Sequence, residues 1–243
     1  MKLFILRVGT LHMPDKSFMT PGRDCQKPVD LPVYCYLITH PKGVVLVDAG
    51  VEPEGPATVS EEESLENQLA LAGFTPADID YVILTHMHVD HAAYMSRFPQ
   101  AQFIVRKEEL RMAWWPDPCE HGYVYAQYRD TRDFSFQELR DDESFDLFLD
   151  GSIVCIDTRG HSRGHQSVLL NLSGHGKVLL AGDAAPLQEN LDDFIQPGIC
   201  TGNEDAMHSL ALIRHYRMAG YGILYGHDPA QAEKLRLCPD YYD

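Results

Sequence analysis

Short apolar runs separated by polar turns dominate most of the chain. Residues 33–39 and 44–48 are two such runs, and they flank a turn-rich spacer at residues 40–43. This pattern predicts a hairpin of two strands. The other predicted strands are residues 3–8, 80–85, 102–105, 153–156, 167–172, 178–181 and 223–225.

Apolar residues at helical spacing predict helices between these strands. Leu65, Leu69 and Ala72 recur along residues 58–72, and Gly73 is a natural stop. Residues 116–146 are aromatic, charged and poorly periodic, so we expect an irregular insertion or lid there. A further helix is predicted to begin at residues 75–78. The other predicted helices are residues 92–98, 107–115, 204–218 and 229–235.

Strands with interspersed helices, joined without a Pro/Gly-rich linker, favour one α/β domain over residues 1–243. Hydrophobic residues make up 44% of the chain and charged residues 23%, which is typical of a globular protein with a sizeable core.

The charge balance narrows the classes of partner. Lys and Arg number 20 and Asp and Glu 36, which gives a net charge of −16. This excess disfavours partners held through phosphate groups, so we expect no nucleic acid and no membrane as a partner. The 12 His are many for this length, and bound metal would neutralise part of the acidic excess.

Neither an export signal nor a membrane span is evident. The first apolar run ends at Arg7, short of the roughly 7–15 residues of a secretory core, and no run approaches the ~18–20 residues of a span. We therefore expect a cytoplasmic protein with reduced thiols, with a disulfide framework as the alternative for an even count. The cysteines are Cys25, Cys35, Cys119, Cys155, Cys200 and Cys238.

The densest chemical motif, H-M-H-V-D-H, follows the predicted strand at residues 80–85. His86 and His88 point to one side of an extended chain because side chains alternate. Asp90 and His91 come where a helix is expected to begin. Imidazole and carboxylate are the ligands that first-row divalent ions prefer, so the spacing indicates a metal site. A solvated His-rich turn is the alternative, and the buried strand before the motif disfavours it.

Three further motifs stand at the ends of predicted strands. They contain His161 and His165 after residues 153–156, Asp183 after residues 178–181, and His227 after residues 223–225. Loops at strand ends are where an α/β scaffold gathers its site residues.

Together, these motifs resemble the metallo-β-lactamase superfamily. Its members share a four-layer αβ/βα sandwich with a dinuclear metal site between two sheets, and the resemblance implies that fold here. L-P-V-Y-C-Y-L at residues 31–37, V-L-V-D-A-G at 45–50, G-H-Q-S at 164–167 and Y-G-H-D at 225–228 further resemble the N-acyl-homoserine lactone lactonases. The resemblance extends from Pro32 to the C-terminus and is weakest across residues 107–150.

The resemblance implies two metal-binding sets and one bridging carboxylate. It predicts two divalent metal ions per chain, zinc first, with iron, cobalt or manganese as alternatives. Asp90 and Asp183 are also predicted to pass a proton during catalysis. The first set is His86, His88 and His161, the second is Asp90, His91 and His227, and the bridge is Asp183.

Other polar residues receive supporting roles or none. Asp48 is expected to orient a ligand His, with a turn-forming Asp as the alternative. His165 is expected to support the ligands from outside, or to be a hydrogen-bonded core His. The remaining His have no motif context and are expected at the surface or in the core: His12, His40, His121, His175, His208 and His215.

Pro186 departs from the lactonase pattern. The lactonases have a Tyr three residues after the bridging Asp, which hydrogen-bonds the substrate carbonyl, and proline cannot donate. Tyr123, Tyr125 and Tyr128 are candidate replacements, with aromatic packing of a lid as the alternative. Polarisation by the metal ions alone, or a different substrate, stays open.

The predicted activity is hydrolysis of a lactone, an N-acyl-homoserine lactone first, by a hydroxide held between two metal ions about 3.5–4 Å apart. A hydrolase of another small lactone and a glyoxalase II-like thioester hydrolase are the alternatives. Glyoxalase II enzymes hold glutathione with a basic helical extension, and only sixteen residues follow His227 here. A homodimer is left open.

Three relatives in the superfamily and one non-enzyme function are weaker alternatives. A mononuclear iron oxygenase acting on persulfides would load one metal ion. The charge of −16 disfavours a nuclease, and the missing export signal disfavours a β-lactamase. A metal-binding scaffold without turnover remains because of Pro186.

Overall fold

Two β-sheets face each other and carry helices on their outer faces. The computed structural model describes residues 1–118 and 120–243, and Cys119, one of the predicted thiols, lies outside the described residues. The strands are β1 Lys2–Met13, β2 Val29–His40, β3 Gly43–Val47, β4 Ala57–Thr58, β5 Tyr81–Ile83, β6 Gln102–Arg106, β7 Ser135–Leu139, β8 Phe145–Asp146, β9 Ile153–Asp157, β10 Gln166–Leu172, β11 Gly176–Leu180 and β12 Gly222–Leu224.

The helices are short except for the fifth. They are α1 Leu65–Leu71, α2 Lys107–Trp114, α3 Tyr125–Tyr128, α4 Gln188–Asp192, α5 Asn203–Met218 and α6 Pro229–Ala232. Single 3₁₀ turns lie at Lys16–Phe18, Pro76–Asp78, Met95–Arg97, Arg129–Thr131 and Gly182–Ala184. No helix in the described part of the chain is long and apolar enough to cross a membrane.

Both sheets are mixed. The first has the order β4-β1-β2-β3-β5-β6-β7, and the second has the order β12-β11-β10-β9-β8. Strands β3, β5, β6 and β7 run parallel, with Val82 opposite both Leu46 and Phe103. In the second sheet β9, β11 and β12 share one direction because β10 is antiparallel to both β9 and β11. The loops that follow these strands therefore emerge at the same edge of each sheet.

Alternation along the strands builds the layers. In β1, Leu3 and Ile5 face the space between the sheets, while Phe4 and Leu6 face the outer side of the first sheet. Leu69 of α1 packs in that outer cluster, and Leu210 of α5 packs against the outer side of the second sheet. Each such buried side chain stabilises the fold by about 1.5–3 kcal/mol. The predicted four-layer α/β sandwich in a single domain is confirmed.

The prediction of irregular backbone over residues 116–146 is wrong at residues 135–139. These residues form β7, which pairs in parallel with β6 and sets Phe136 opposite Phe103. As an edge strand, β7 buries only Leu139 fully, so its sequence shows no apolar alternation. Residues 125–128 form α3 within the same segment.

Several predicted boundaries also shift. β1 continues to Met13 through a register shift between Arg7 and Gly9, where polar residues interrupt the apolar pattern. The helix predicted at residues 58–72 begins at Leu65, because Ser64 caps it through the Asn67 N–H. The helix predicted at residues 92–98 is a 3₁₀ turn. The described cysteines are free thiols: Cys25, Cys35, Cys155, Cys200 and Cys238.

Candidate metal centre

Four loops meet at one edge of the space between the sheets and bury a cluster of His and Asp side chains. The loops follow β5, β9, β11 and β12, as the shared strand directions require. All the predicted metal ligands belong to this cluster, and none is more than 7% exposed. They are His86, His88, Asp90, His91, His161, Asp183 and His227.

Three imidazoles form the first group. His161 Nε2 lies 3.1 Å from His86 Nε2 and 3.0 Å from His88 Nδ1. The three rings stand nearly edge to face, so their nitrogens converge from different directions. This arrangement surrounds a point that one cation would occupy.

The second group combines one carboxylate with two imidazoles. Asp90 Oδ2 lies 3.4 Å from His91 Nε2 and 3.4 Å from His227 Nε2. Mixed oxygen and nitrogen ligands of this kind suit zinc and neighbouring first-row ions.

Asp183 lies between the two groups and faces both. Its Oδ1 is 3.0 Å from His227 Nε2 and 3.4 Å from His91 Nε2, while its Oδ2 is 3.5 Å from His161 Nε2. Each carboxylate oxygen is thus turned toward a different group, which is the geometry of a bridging ligand.

The outer hydrogen bonds of the rings set which nitrogens carry lone pairs. His161 Nδ1 contacts the Ile199 carbonyl at 2.8 Å, and His227 Nδ1 contacts the Pro32 carbonyl at 2.9 Å. A carbonyl oxygen only accepts, so each Nδ1 donates and each neutral ring turns an unprotonated Nε2 toward the cluster. The buried Nε2 of His227 and Oδ1 of Asp183 find no hydrogen bond of good geometry among the described residues. Lone pairs that converge in this way fit metal cations.

The charges of the cluster point the same way. Burial alone would lower the pKa of His91, but the carboxylates of Asp90, Asp48 and Asp183 raise it well above its ordinary value. Burial would raise the pKa of Asp183, but His227, His91 and His161 hold it well below its ordinary value. The second group therefore attracts positive charge, which metal cations supply by displacing protons.

Asp48 holds His91 from behind. Its Oδ2 lies 2.8 Å from His91 Nδ1, and its Oδ1 accepts a 2.7 Å hydrogen bond from the Thr85 N–H. Its backbone adopts a φ of 62°, a left-handed conformation that Asp tolerates better than most residues. Asp48 therefore contacts one of the predicted ligand histidines, and partners of this kind fix ring orientation.

His165 contacts the backbone of Asp183, the candidate bridging residue. The Asp183 N–H donates to His165 Nε2 at 3.0 Å, and the Nδ1 of the same ring contacts Thr158 Oγ1 at 2.9 Å. A Cβ on Gly182 would lie 2.7 Å from His165 Nε2, so the close approach requires glycine. His165 is thus a buried, hydrogen-bonded His directly behind Asp183, which agrees with both of the expected roles.

Glu109 is a buried residue that the sequence reasoning missed. It lies on α2, is fully buried and accepts hydrogen bonds from the loops that contain the His residues. A signal was present, because Glu109, Met112 and Ala113 occupy the buried face of α2 at helical spacing. A charged residue on such a face calls for partners.

A cavity of about 500 Å³ opens onto the cluster. Five residues of the cluster line it, and most of the other lining residues are apolar. The five are His88, Asp90, His161, Asp183 and His227. The apolar lining includes Leu11, Met13, Phe18, Met19, Leu31, Val89 and Ile199.

The three candidate tyrosines do not line this cavity. Tyr123 donates to Glu109 Oε1 at 2.9 Å, and Tyr128 donates to the Ala113 carbonyl at 2.7 Å. Tyr125 is 56% exposed and packs on Trp114. His121, expected to be an ordinary surface or core His, does line the cavity.

The sequence profile of the metallo-beta-lactamase superfamily matches residues 28–235. The chain belongs to the metallo-β-lactamase superfamily. This confirms the resemblance inferred from the motifs, and the protein is a metal-dependent hydrolase of that superfamily.

Relatives and solved structures specify the branch. The chain is 30% identical to an N-acyl homoserine lactonase, AttM, from Rhizobium johnstonii, over 99% of this chain and 98% of the relative. It is 28% identical to the N-acyl homoserine lactonase AiiA from Bacillus thuringiensis subsp. kurstaki, with the same coverage. An N-acyl homoserine lactone hydrolase with the product N-hexanoyl-L-homoserine at its catalytic metal centre superposes with a TM-score of 0.87 and 26% identity, covering 99% of this chain and 98% of that chain. The fold and the lactonase branch are thus shared along the whole length.

Proposed function

We propose that this protein opens the ring of an N-acyl-homoserine lactone, using two divalent metal ions, zinc first. The observation that carries the proposal is the cavity, whose lining combines apolar side chains with a buried cluster of His and Asp. Relatives named as N-acyl homoserine lactonases, aligned over nearly their full length, support it.

The proposed ligands divide as the geometry suggests. His86, His88 and His161 would hold one ion. Asp90, His91 and His227 would hold the other, and Asp183 would bridge the pair. When bound, the ions would polarise the ester carbonyl and activate a water molecule.

The apolar wall would hold the acyl chain of the substrate. Each methylene buried there contributes about 0.8 kcal/mol to binding. An acyl-homoserine lactone is uncharged, so the net charge of −16 does not oppose its approach. No Lys or Arg occurs among the described residues that line the cavity, which disfavours the anionic glutathione thioester of the alternative reading.

Asp90 and Asp183 are the proposed proton carriers. Both line the cavity and both are almost fully buried. A carboxylate in that position would pass a proton to the alkoxide that leaves when the ring opens.

Pro186 contributes to the cluster through its backbone. Its carbonyl accepts a 2.8 Å hydrogen bond from the His227 N–H, which ties the loop of His227 to that of Asp183. The side chain offers no donor to the substrate carbonyl. We therefore propose that the metal ions carry most of the stabilisation of the developing oxyanion.

We also propose a cytoplasmic location for the protein and a role for residues 116–146 as a lid beside the cavity. A homodimer is left open.

A hydrolysis screen tests this function. Metal-loaded protein is assayed with a pH indicator against N-acyl-homoserine lactones, simple lactones and glutathione thioesters. We expect the highest kcat/KM for the acyl-homoserine lactones. A higher kcat/KM for a thioester would overturn the proposal in favour of a glyoxalase II-like activity.

Elemental analysis of the same preparation tests the metal count. Protein loaded with excess zinc or cobalt should approach two equivalents per chain. A plateau at one equivalent would overturn the dinuclear site and favour a mononuclear relative.

A further inference from the structure

A carboxylate lies buried directly behind the metal-binding loops and does not belong to either ligand group. Glu109 of α2 is 0% exposed, and it neither lines the cavity nor belongs to the cluster of possible ligands. Burying a charge without partners is costly, so Glu109 should be surrounded by hydrogen-bond donors.

Four donors surround the two oxygens of Glu109. Oε1 accepts from the Met87 N–H at 2.8 Å and from the Tyr123 hydroxyl at 2.9 Å. Oε2 accepts from the Ser162 hydroxyl at 2.6 Å and from the Gly164 N–H at 3.1 Å. Each oxygen thus faces one backbone N–H, which can only donate. Both oxygens therefore accept, and an ionised carboxylate satisfies all four donors at once.

These donors come from three separate segments of the site. Met87 stands between His86 and His88. Ser162 and Gly164 belong to the loop that carries His161.

The third segment is the proposed lid. Tyr123 donates to Glu109 while its ring packs on the His88 ring, edge to face, with centroids 4.8 Å apart. The neighbouring Gly122 carbonyl accepts a 2.9 Å hydrogen bond from the Val89 N–H. The proposed lid, the His86–His88 loop and the His161 loop therefore all donate hydrogen bonds to the buried Glu109 carboxylate.

The packing leaves little freedom for another arrangement. A Cβ on Gly164 would overlap the backbone of Glu109, so the His161 loop lies directly on α2. Burial raises the pKa of Glu109, while the hydrogen bonds from Ser162, Met87, Tyr123 and Gly164 oppose that rise.

We propose that Glu109 is a positioning residue that holds the His86–His88 loop, the His161 loop and Tyr123 in the arrangement that binds metal. The inference rests on the metal site of the proposed function. It predicts that neutralising Glu109 weakens metal binding although every ligand remains.

Glu109→Gln tests this inference directly. The substitution keeps the size of the side chain, yet in either orientation it turns an NH₂ toward a backbone N–H. We expect the apparent Kd for cobalt, titrated alone into the metal-free protein, to rise by about 10–100-fold, the effect typical of residues that orient metal ligands. The ligand-field absorption of the bound cobalt should change as well.

Glu108→Gln is the matched control on the same helix. Glu108 pairs with Arg111 at 2.8 Å on the surface and should bind cobalt like the wild type when changed. Leu172→Ala provides a second control, since Leu172 lies in the core between the sheets, at the end of β10 away from the site. It should lower Tm while leaving the cobalt Kd and spectrum unchanged, which separates positioning from general stability.

The outcomes are distinct. Wild-type cobalt affinity and spectrum in Glu109→Gln would overturn the inference. Failure of the wild type itself to bind cobalt or to hydrolyse lactones would overturn the proposed function instead.

If Glu109→Gln does not fold, Ser162→Ala and Tyr123→Phe replace it. Each removes one donor to Glu109 and leaves every proposed ligand in place. A smaller rise in the cobalt Kd is expected in both, and wild-type affinity in both would overturn the inference.

Discussion

The two halves of the buried cluster differ in where their carboxylates lie. Burial lowers the pKa of His86 well below its ordinary value, lowers that of His88 to about 3, and also lowers that of His161. In the second group burial acts in the same direction, yet the carboxylates beside His91 and His227 raise both pKa values.

The difference is one of placement rather than of ligand type. Neutral oxygens lie behind two rings of the first group: the Ile199 carbonyl contacts His161 Nδ1, and the Thr85 hydroxyl contacts His86 Nδ1. His91 of the second group is backed by the Asp48 carboxylate, and Asp90 lies 3.4 Å in front of it. Two sets of imidazoles a few ångströms apart thus differ in their attraction for cations, because local charge sets it.

Asp183→Asn should have the largest effect, since Asp183 faces both groups. We expect metal content to fall toward zero, and kcat/KM to fall by at least about 10³-fold, equivalent to about 4 kcal/mol. Elemental analysis and a lactone assay measure the two quantities. Unchanged metal content with full activity would contradict a bridging role.

His88→Ala and His227→Ala should separate the groups, since each removes a ligand from one group only. Each variant should retain about one equivalent of metal after loading with excess zinc and should lose most of its activity, since the reaction is proposed to need both ions. His208→Ala, on the surface helix α5, is the control and should keep both ions. Two retained equivalents in either variant would mean that the motif is assigned wrongly.

Asp48→Asn should change the cation affinity of the second group alone. It removes the charge behind His91 and replaces no residue of the first group. We expect the affinity for one of the two cobalt ions to fall by about 10–100-fold, while the other ion binds as in the wild type. The affinities are measured by cobalt titration. An equal loss of affinity for both ions would contradict the difference in charge between the two groups.

Tyr128→Phe should have the smallest effect. Its hydroxyl donates to the Ala113 carbonyl away from the cavity, so we expect a loss of about 1 kcal/mol in the free energy of unfolding. The kcat and metal content should not change. Tyr125→Phe is the comparison, since it removes the hydroxyl of a largely exposed side chain. It should change neither the free energy of unfolding nor kcat. A fall in kcat for either variant would restore these residues as candidate oxyanion donors.

Much of the fold and of the candidate site could be predicted from the sequence. Continuous apolar runs such as residues 33–39 indicated strands, and the spacing of H-M-H-V-D-H predicted that His86, His88, Asp90 and His91 lie together. β7 escaped prediction because an edge strand needs no apolar alternation. The sequence left the tyrosines between two roles, a hydrogen-bond donor and aromatic packing of a lid, for another reason. The partners of Tyr123 and Tyr128 depend on how the segment folds back onto α2.

The layers and the chemistry of the candidate ligands follow from the local sequence, because periodicity of two or 3.6 residues and a short motif are local properties. Tertiary packing sets which nitrogen of each His faces the cluster and which carboxylate contacts His91 Nδ1 from the outside. It also decided the role of Glu109, whose partners Met87 and Ser162 lie 22 and 53 positions away in the chain. Contacts over such separations arise when packed loops meet, and no local pattern encodes them.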